Sequence, residues 1–523
     1  MSQLLRSGAV VGAMTMISRV LGLIRDVIFA NYFLIGGAMD AFMAAFRIPN
    51  LMRRLFAEGA FSLAFIPVLS EYKETRSKED LKRLIDHVAG TLGTVLLVIT
   101  IIGMLIAPWI ITTITPGFSH HANARPELAA ELLRITFPYI LFISLSALIS
   151  GILNTFKQFA VPAFTPVLLN VVLIACAVWL APYFEEPVKA LAWGVFIGGI
   201  AQLLFQVPAL IKLGLFPRFS LKRSHKGVKK IMKLMVPALF GSSVAQVNLL
   251  INTAIASLLG TGFITWLYYS DRFVELPLAL IGVAIGVVIL PKLAGNHANE
   301  ENKAFSATLG WAARLSLLAA LPAMTGLMLL ATPILATVID NGVNGWHDVE
   351  MSSMSLITYA FGLPAFILVK VLVPGFYSRQ DTKTPVKIGI IAVFSNMLFS
   401  LCIVYPWYKL GYVAPHAGLA LATALAGYIN AGLLIYQLKK KNIYQSQAGN
   451  INYFVRIVIA TIVMGIAIGW FTPADSWWQQ AGIWQKISML FGLIGGSIII
   501  YSIALLALGM QPKRLLQDGE KTA

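Results

Sequence analysis

The chain has 523 residues, 58% hydrophobic and only 12% charged, with a mean hydropathy of +0.78. Soluble globular proteins are about 45–50% apolar and about 25% charged, so a water-soluble enzyme is excluded and an all-α integral membrane protein is expected. Forty Lys and Arg against 23 Asp and Glu leave a net +17; in a soluble chain this would suggest nucleic acid, but here the loops that carry the charge decide, and no nucleic-acid partner is expected.

Taken in chain order, runs of about 20 mainly apolar residues give fourteen expected spans, near 8–34, 38–68, 85–109, 127–153, 160–180, 187–211, 234–259, 263–291, 306–336, 352–377, 384–405, 413–437, 452–471 and 485–509. No cleavable signal peptide is expected, because the first apolar helix already carries charge. Cys176 and Cys402 lie in apolar runs and are expected as packing residues. Between the sixth and seventh spans stand Lys212, Arg218, Lys222, Arg223, Lys226, Lys229, Lys230 and Lys233. Such a cluster marks a cytoplasmic loop. Counted outward from it, the inner loops and ends hold 26 basic residues and the outer loops 3, namely Arg125, Lys189 and Lys409. Both termini are therefore expected in the cytoplasm. Ten of eleven Trp residues fall near the outer ends, where indoles favour the lipid–water interface.

The punctuation of the chain repeats at an offset near 224. Phe65-Ile66-Pro67 answers Ile289-Leu290-Pro291, Ala107-Pro108 answers Thr332-Pro333, Gly151 answers Gly375, and Arg47 answers Arg272 at 225. Two six-helix halves that both begin and end inside must be parallel repeats, a transporter plan with the substrate site between them near the midplane. The expected division is an N-lobe at 1–215, a basic linker at 216–233, a C-lobe at 234–440, and the last two spans with a tail at 441–523.

The first two spans carry Arg19, Arg25, Asp26, Asp40, Arg47, Arg53, Arg54 and Glu58. At about 2.5–3.5 kcal/mol for each charge at helix centre, eight facing lipid would cost on the order of 20 kcal/mol. They must face one another or water. Asp40, Arg47 and Arg54 are seven apart and Glu58 follows by four, which puts all four on one helical stripe. Arg19 and Arg25 diverge by about 120° on an ideal helix, and a bend or unwinding at Gly22 would turn both toward one cavity. The eighth span adds Asp271, Arg272 and Glu275, with Gly282 and Gly286 expected at a close helix contact; the tenth adds Lys370. A net-positive cavity selects an anion, and Arg forks match phosphate oxygens. No catalytic or nucleotide-binding motif accompanies these charges, so a transporter and not an enzyme is expected, with no cofactor.

The segments SRVLGLIRD at 18–26, DAFMAAFRIPNLMRRLFAEGAFSLAFIPVLSEY at 40–72, YYSDRFVELP at 268–277 and KVLVPGFYSRQDTKTPVK at 370–387 resemble the MurJ (MviN) family of bacterial lipid II flippases, in the multidrug/oligosaccharidyl-lipid/polysaccharide exporter superfamily. The resemblance implies an inner-membrane carrier, monomeric, that moves undecaprenyl-diphosphate-linked disaccharide pentapeptide to the periplasmic leaflet by alternating access, for peptidoglycan synthesis. It implies a central cavity lined by Arg19, Arg25, Arg53 and Arg272 and a need for Asp40, Arg54, Glu58 and Lys370. Together with the in-membrane charges above, substrate contact is expected of Arg19, Arg25, Arg53, Arg272 and Lys370, and a gating or structural role of Asp26, Asp40, Arg47, Arg54, Glu58, Asp271 and Glu275. Coupling to membrane potential or to an ion is left open. The alternatives are a flippase for another polyprenyl-diphosphate oligosaccharide and a cation-coupled drug exporter; the exporter would place unpaired acids in its cavity.

Overall fold

The structure, a computed structural model, describes residues 2–510 except 57–59, 219, 221–224, 299–300, 341 and 446–449. Glu58, Lys222, Arg223 and the tail cations Lys513, Arg514 and Lys521 lie outside the described residues. The helices are α1 (Ser2–Tyr32), α2 (Gly37–Phe56), α3 (Ala60–Thr75), α4 (Lys78–Leu105), α5 (Ala107–Ile114), α6 (Pro126–Thr136), α7 (Tyr139–Thr155), α8 (Ala160–Ala175), α9 (Val188–Lys212), α10 (Lys226–Leu259), α11 (Phe263–Pro277), α12 (Ala284–Ala298), α13 (Asn302–Leu329), α14 (Ala331–Val338), α15 (Trp346–Phe361), α16 (Leu363–Tyr377), α17 (Lys383–Lys409), α18 (Pro415–Lys440), α19 (Asn450–Phe471), α20 (Asp475–Gln480) and α21 (Ile483–Ala507).

Among the described residues, ten helical segments are long and apolar enough to cross a membrane, or eleven if α15 and α16, bent by 42° at Gly362, form one span. The other three expected spans fall on α1, on α2 with α3, and on α10.

The repeat is written into the helix boundaries. An offset of 224 carries the start of α1 onto that of α10, α3 onto α12, α4 onto α13, α5 onto α14, and α7 onto α16. Both α4 and α13 have 28 residues and break one residue before an eight-residue helix. The apolar cores repeat as well. Phe65, Leu69, Ile85, Leu148, Ile152 and Leu210 form one cluster, and Ile289, Leu293, Leu309, Leu372, Phe376 and Leu434, each 224 further on, form the other. Side chains that fill equivalent positions in two cores are constrained by volume.

By packing, the chain divides into Met1–Thr265 and Trp266–Ala523. α10 thus packs with the first unit, chiefly against α3, although the repeat aligns it with α1. Packing and sequence repeat divide the chain at different places, because a helix is free to cover a neighbour outside its own half.

Three expectations change. α1 runs unbroken through Gly22, so no unwinding occurs there. Cys402 is exposed on α17 and is no packing residue, unlike buried Cys176. Trp109, Trp179, Trp470 and Trp484 are exposed as interface anchors should be, but Trp266 and Trp478 are buried; Trp266 donates to Asp348 at 2.9 Å and packs its ring beside His347 and His416.

Gly282 and Gly286 do make the close contact expected of them. A Cβ on Gly286 would lie 2.9 Å from the Lys370 carbonyl oxygen, and one on Gly282 would lie 3.3 Å from Lys370 Cβ. Small residues four apart let two backbones approach in this way. Gly286→Ala should therefore lower the thermal midpoint of the purified protein, by roughly 1–3 kcal/mol of overpacking. Gly295→Ala in the same helix meets nothing within 4 Å and should be neutral or stabilising by about 0.5–1 kcal/mol. Equal effects would refute the tight contact.

In the turn before α17, the Asp381 carboxylate accepts from Lys441 Nζ at 2.6 Å, Thr384 Oγ1 at 2.7 Å and the Thr384 amide at 3.0 Å. Burial pulls this carboxyl upward, but these donors outweigh it and hold its pKa at about 2. A depressed carboxylate adds stability that is fully present above its unfolded pKa of about 3.9 and is lost as pH falls through the folded value. Asp381→Asn should therefore lower the thermal midpoint at pH 6, and the difference from wild type should shrink between about pH 4 and pH 2. A pH-independent difference would contradict this pairing.

Candidate substrate site

The charges of α1 follow from its unbroken helix. Arg25 and Asp26, 6% and 3% exposed, form a buried pair: Arg25 donates to Asp26 Oδ1 from Nε at 3.0 Å and from Nη2 at 2.6 Å. Arg25 Nη1 donates to Asn170 Oδ1 on α8 at 3.0 Å, and Asn170 Nδ2 donates back to the Ser18 carbonyl at 3.0 Å. The guanidinium also lies 5.5 Å from the Phe29 ring centre. Arg25, expected on a cavity wall, is instead locked between α1 and α8, because low dielectric makes pairing with the adjacent acid the available way to bury it. Arg19, on another face, is half-buried and has no hydrogen-bond or ion-pair partner among the described residues.

On α2 the expected stripe divides. Asp40 is fully buried and caps the start of α11, accepting from the Thr265 hydroxyl at 2.6 Å, the Thr265 amide at 2.9 Å and the Gly262 amide. Free amides at a helix start are natural partners for a carboxylate. Asp40 therefore does not extend a polar wall with Arg47 and Arg54, which are half-buried. Arg53 donates twice to Asn50 Oδ1, at 3.0 and 3.2 Å.

In the second unit Arg272 donates to Glu275 at 2.8 Å and lies 5.7 Å from the Tyr268 ring centre; both side chains are about a third exposed. Asp271, adjacent to Arg272, is half-buried. Lys370 on α16 is exposed, its backbone pressed against Gly286. The expected set therefore sorts by partner. Arg25 and Arg272 are held by acids and Arg53 by Asn50, whereas Arg19 and Lys370 have no ion-pair partner among the described residues.

Two features escaped the sequence reading. Asn170 stands in the apolar run TPVLLNVVLIA, where a lone amide at membrane depth is itself a signal. Lys486, 3% exposed, donates to Asp340 Oδ2 at 2.8 Å and to the Asp340 carbonyl at 3.3 Å, tying the start of α21 to the end of α14. A Lys in the first turn of an apolar helix resembles a snorkelling residue, which hid the pair.

The profile of the family described as "Lipid II flippase MurJ" matches residues 29–491. The chain is 46% identical over 519 residues to "Probable lipid II flippase MurJ" of Vibrio cholerae serotype O1, with 98% of each covered. It is 42% identical over 478 residues to "Lipid II flippase MurJ" of Burkholderia cenocepacia, with 91% of each covered. A solved "Lipid II flippase MurJ, inward closed conformation" superposes with a TM-score of 0.78 at 28% identity, covering 94% of this chain and 97% of that one. A multidrug resistance MATE family transporter of the MOP superfamily superposes at 0.66 with 14% identity, over 83% of this chain and 98% of that one, a likeness of fold alone. Matched over most of its length by profile, by relatives and by structure, this multi-pass membrane chain belongs to the MurJ family of lipid II flippases.

Proposed function

We propose that this chain carries lipid II from the cytoplasmic to the periplasmic leaflet of the bacterial inner membrane, supplying peptidoglycan synthesis. It is a transporter and not an enzyme. The observation that carries the reading is identity above 40%, over nine-tenths of both chains or more, to relatives named as lipid II flippases. The charges support it: Arg19, Arg53 and Lys370 suit a diphosphate, for which Arg offers two parallel donors and Lys a point charge. Depleting the protein in its own cells should trap lipid II in the cytoplasmic leaflet. Normal leaflet distribution after depletion would refute the reading.

In this proposal the two repeats rock to expose the substrate alternately to each side, and α1, unbroken at Gly22, moves as a rod. A bound diphosphate would replace repulsion among cations with attraction, so loading favours the change of state. Both termini and the central loop lie in the cytoplasm. Reporter fusions after Lys230 and Lys440 should read as cytoplasmic and one after Asn344 as periplasmic; a periplasmic reading at Lys230 would overturn the orientation.

Arg19→Ala should reach normal abundance yet fail to support growth as the sole copy, since Arg19 has no partner to lose among the described residues. Arg25→Ala should lower abundance, because an orphaned buried Asp26 costs about 3–5 kcal/mol. Arg25→Gln combined with Asp26→Asn restores neutrality. Recovery of abundance without flipping would give Arg25 a substrate contact beyond its pairing, and recovery of both would make it structural. Growth supported by Arg19→Ala would remove Arg19 from the site.

A further inference from the structure

Where the ends of α3, α4, α7 and α9 meet, a cavity of about 250 Å³ is lined by Lys73, Arg76, Ser77, Lys78, Leu81, Phe156, Leu213 and Leu215. Three of these residues are cations, four are apolar and none is acidic. Lys73 is set in place: Nζ donates to the Thr155 carbonyl at 3.0 Å and sits 4.8 Å from the Phe156 ring centre. Arg76 and Lys78 are exposed at the mouth. A cationic rim over an apolar floor, at the ends of helices long and apolar enough to cross a membrane, matches a lipid phosphate with the first carbons of its tail beneath.

The internal repeat supplies a control. At the offset of 224, Lys73, Arg76 and Lys78 answer His297, Glu300 and Asn302, so the repeated fold does not require three cations here. An orientation signal needs positive charge anywhere in a short loop; it does not need the charges gathered around one apolar-floored cavity. We propose that this cavity binds the headgroup phosphate of an anionic membrane lipid in the leaflet facing the basic loops, apart from the charges on α1, α2, α11 and α16. The inference does not depend on which lipid is flipped.

The test is native mass spectrometry of the full-length protein titrated with phosphatidylglycerol, phosphatidylcholine or inorganic phosphate. The first phosphatidylglycerol should bind saturably, and Arg76→Gln with Lys78→Gln should weaken it by roughly thirtyfold, the effect of two surface charges. Lys439→Gln with Lys440→Gln, removing equal charge from the end of α18, should leave it unchanged. Three outcomes would each overturn the proposal. They are equal loss in both pairs or no loss in the first, equal affinity for phosphatidylcholine, and displacement of the lipid by millimolar inorganic phosphate, which would mark a site for free anion.

Discussion

A guanidinium at membrane depth must find an acid, an amide, water or an incoming anion, since lipid offers none of them and each unmet charge costs about 2.5–3.5 kcal/mol or more. This chain meets that constraint in graded ways. Arg25 is closed off by Asp26 and Asn170, Arg272 shares one carboxylate with partial exposure to solvent, and Arg19 is left with no partner among the described residues. The grading matters because a ligand gains affinity only from charges that protein has not already satisfied. A fully paired set would bind nothing, and a fully unpaired set would not fold. In the proposed mechanism the diphosphate completes what Arg19 lacks.

The repeat shows what folding demands and what it leaves free. Core positions recur at one offset through both halves, and helix starts recur with them. Charges do not recur in the same way. Lys73, Arg76 and Lys78 have no cationic counterparts, whereas Lys157 answers Asp381, which pins the turn before α17 through Lys441. Duplicated packing and diverged electrostatics are what two halves need if they share a fold and differ in what they hold.

The helical class, the repeat and the inventory of charged residues were legible in the sequence, because hydropathy and in-membrane charge are one-dimensional signals. Gly282 and Gly286 were legible for the same reason, their spacing of four being a local pattern. Partner choice was not. The stripe through Asp40, Arg47 and Arg54 is real as helical geometry, yet Asp40 turns to the amides of Gly262 and Thr265, more than 220 residues away in sequence, and no local pattern encodes that meeting. The pairing of Lys486 with Asp340 was hidden likewise by a distance of 146 residues. At Gly22 the sequence offered a place to unwind, but α1 runs on unbroken and Arg25 ties it to Asn170 of α8.

The most direct measurement is transfer by the purified chain itself. Vesicles holding the protein and fluorescent lipid II would be followed for movement of the headgroup between leaflets. The account predicts transfer that requires the protein and is lost on Arg19→Ala at equal incorporation. Transfer at the same rate in protein-free vesicles, or undiminished by Arg19→Ala, would contradict it.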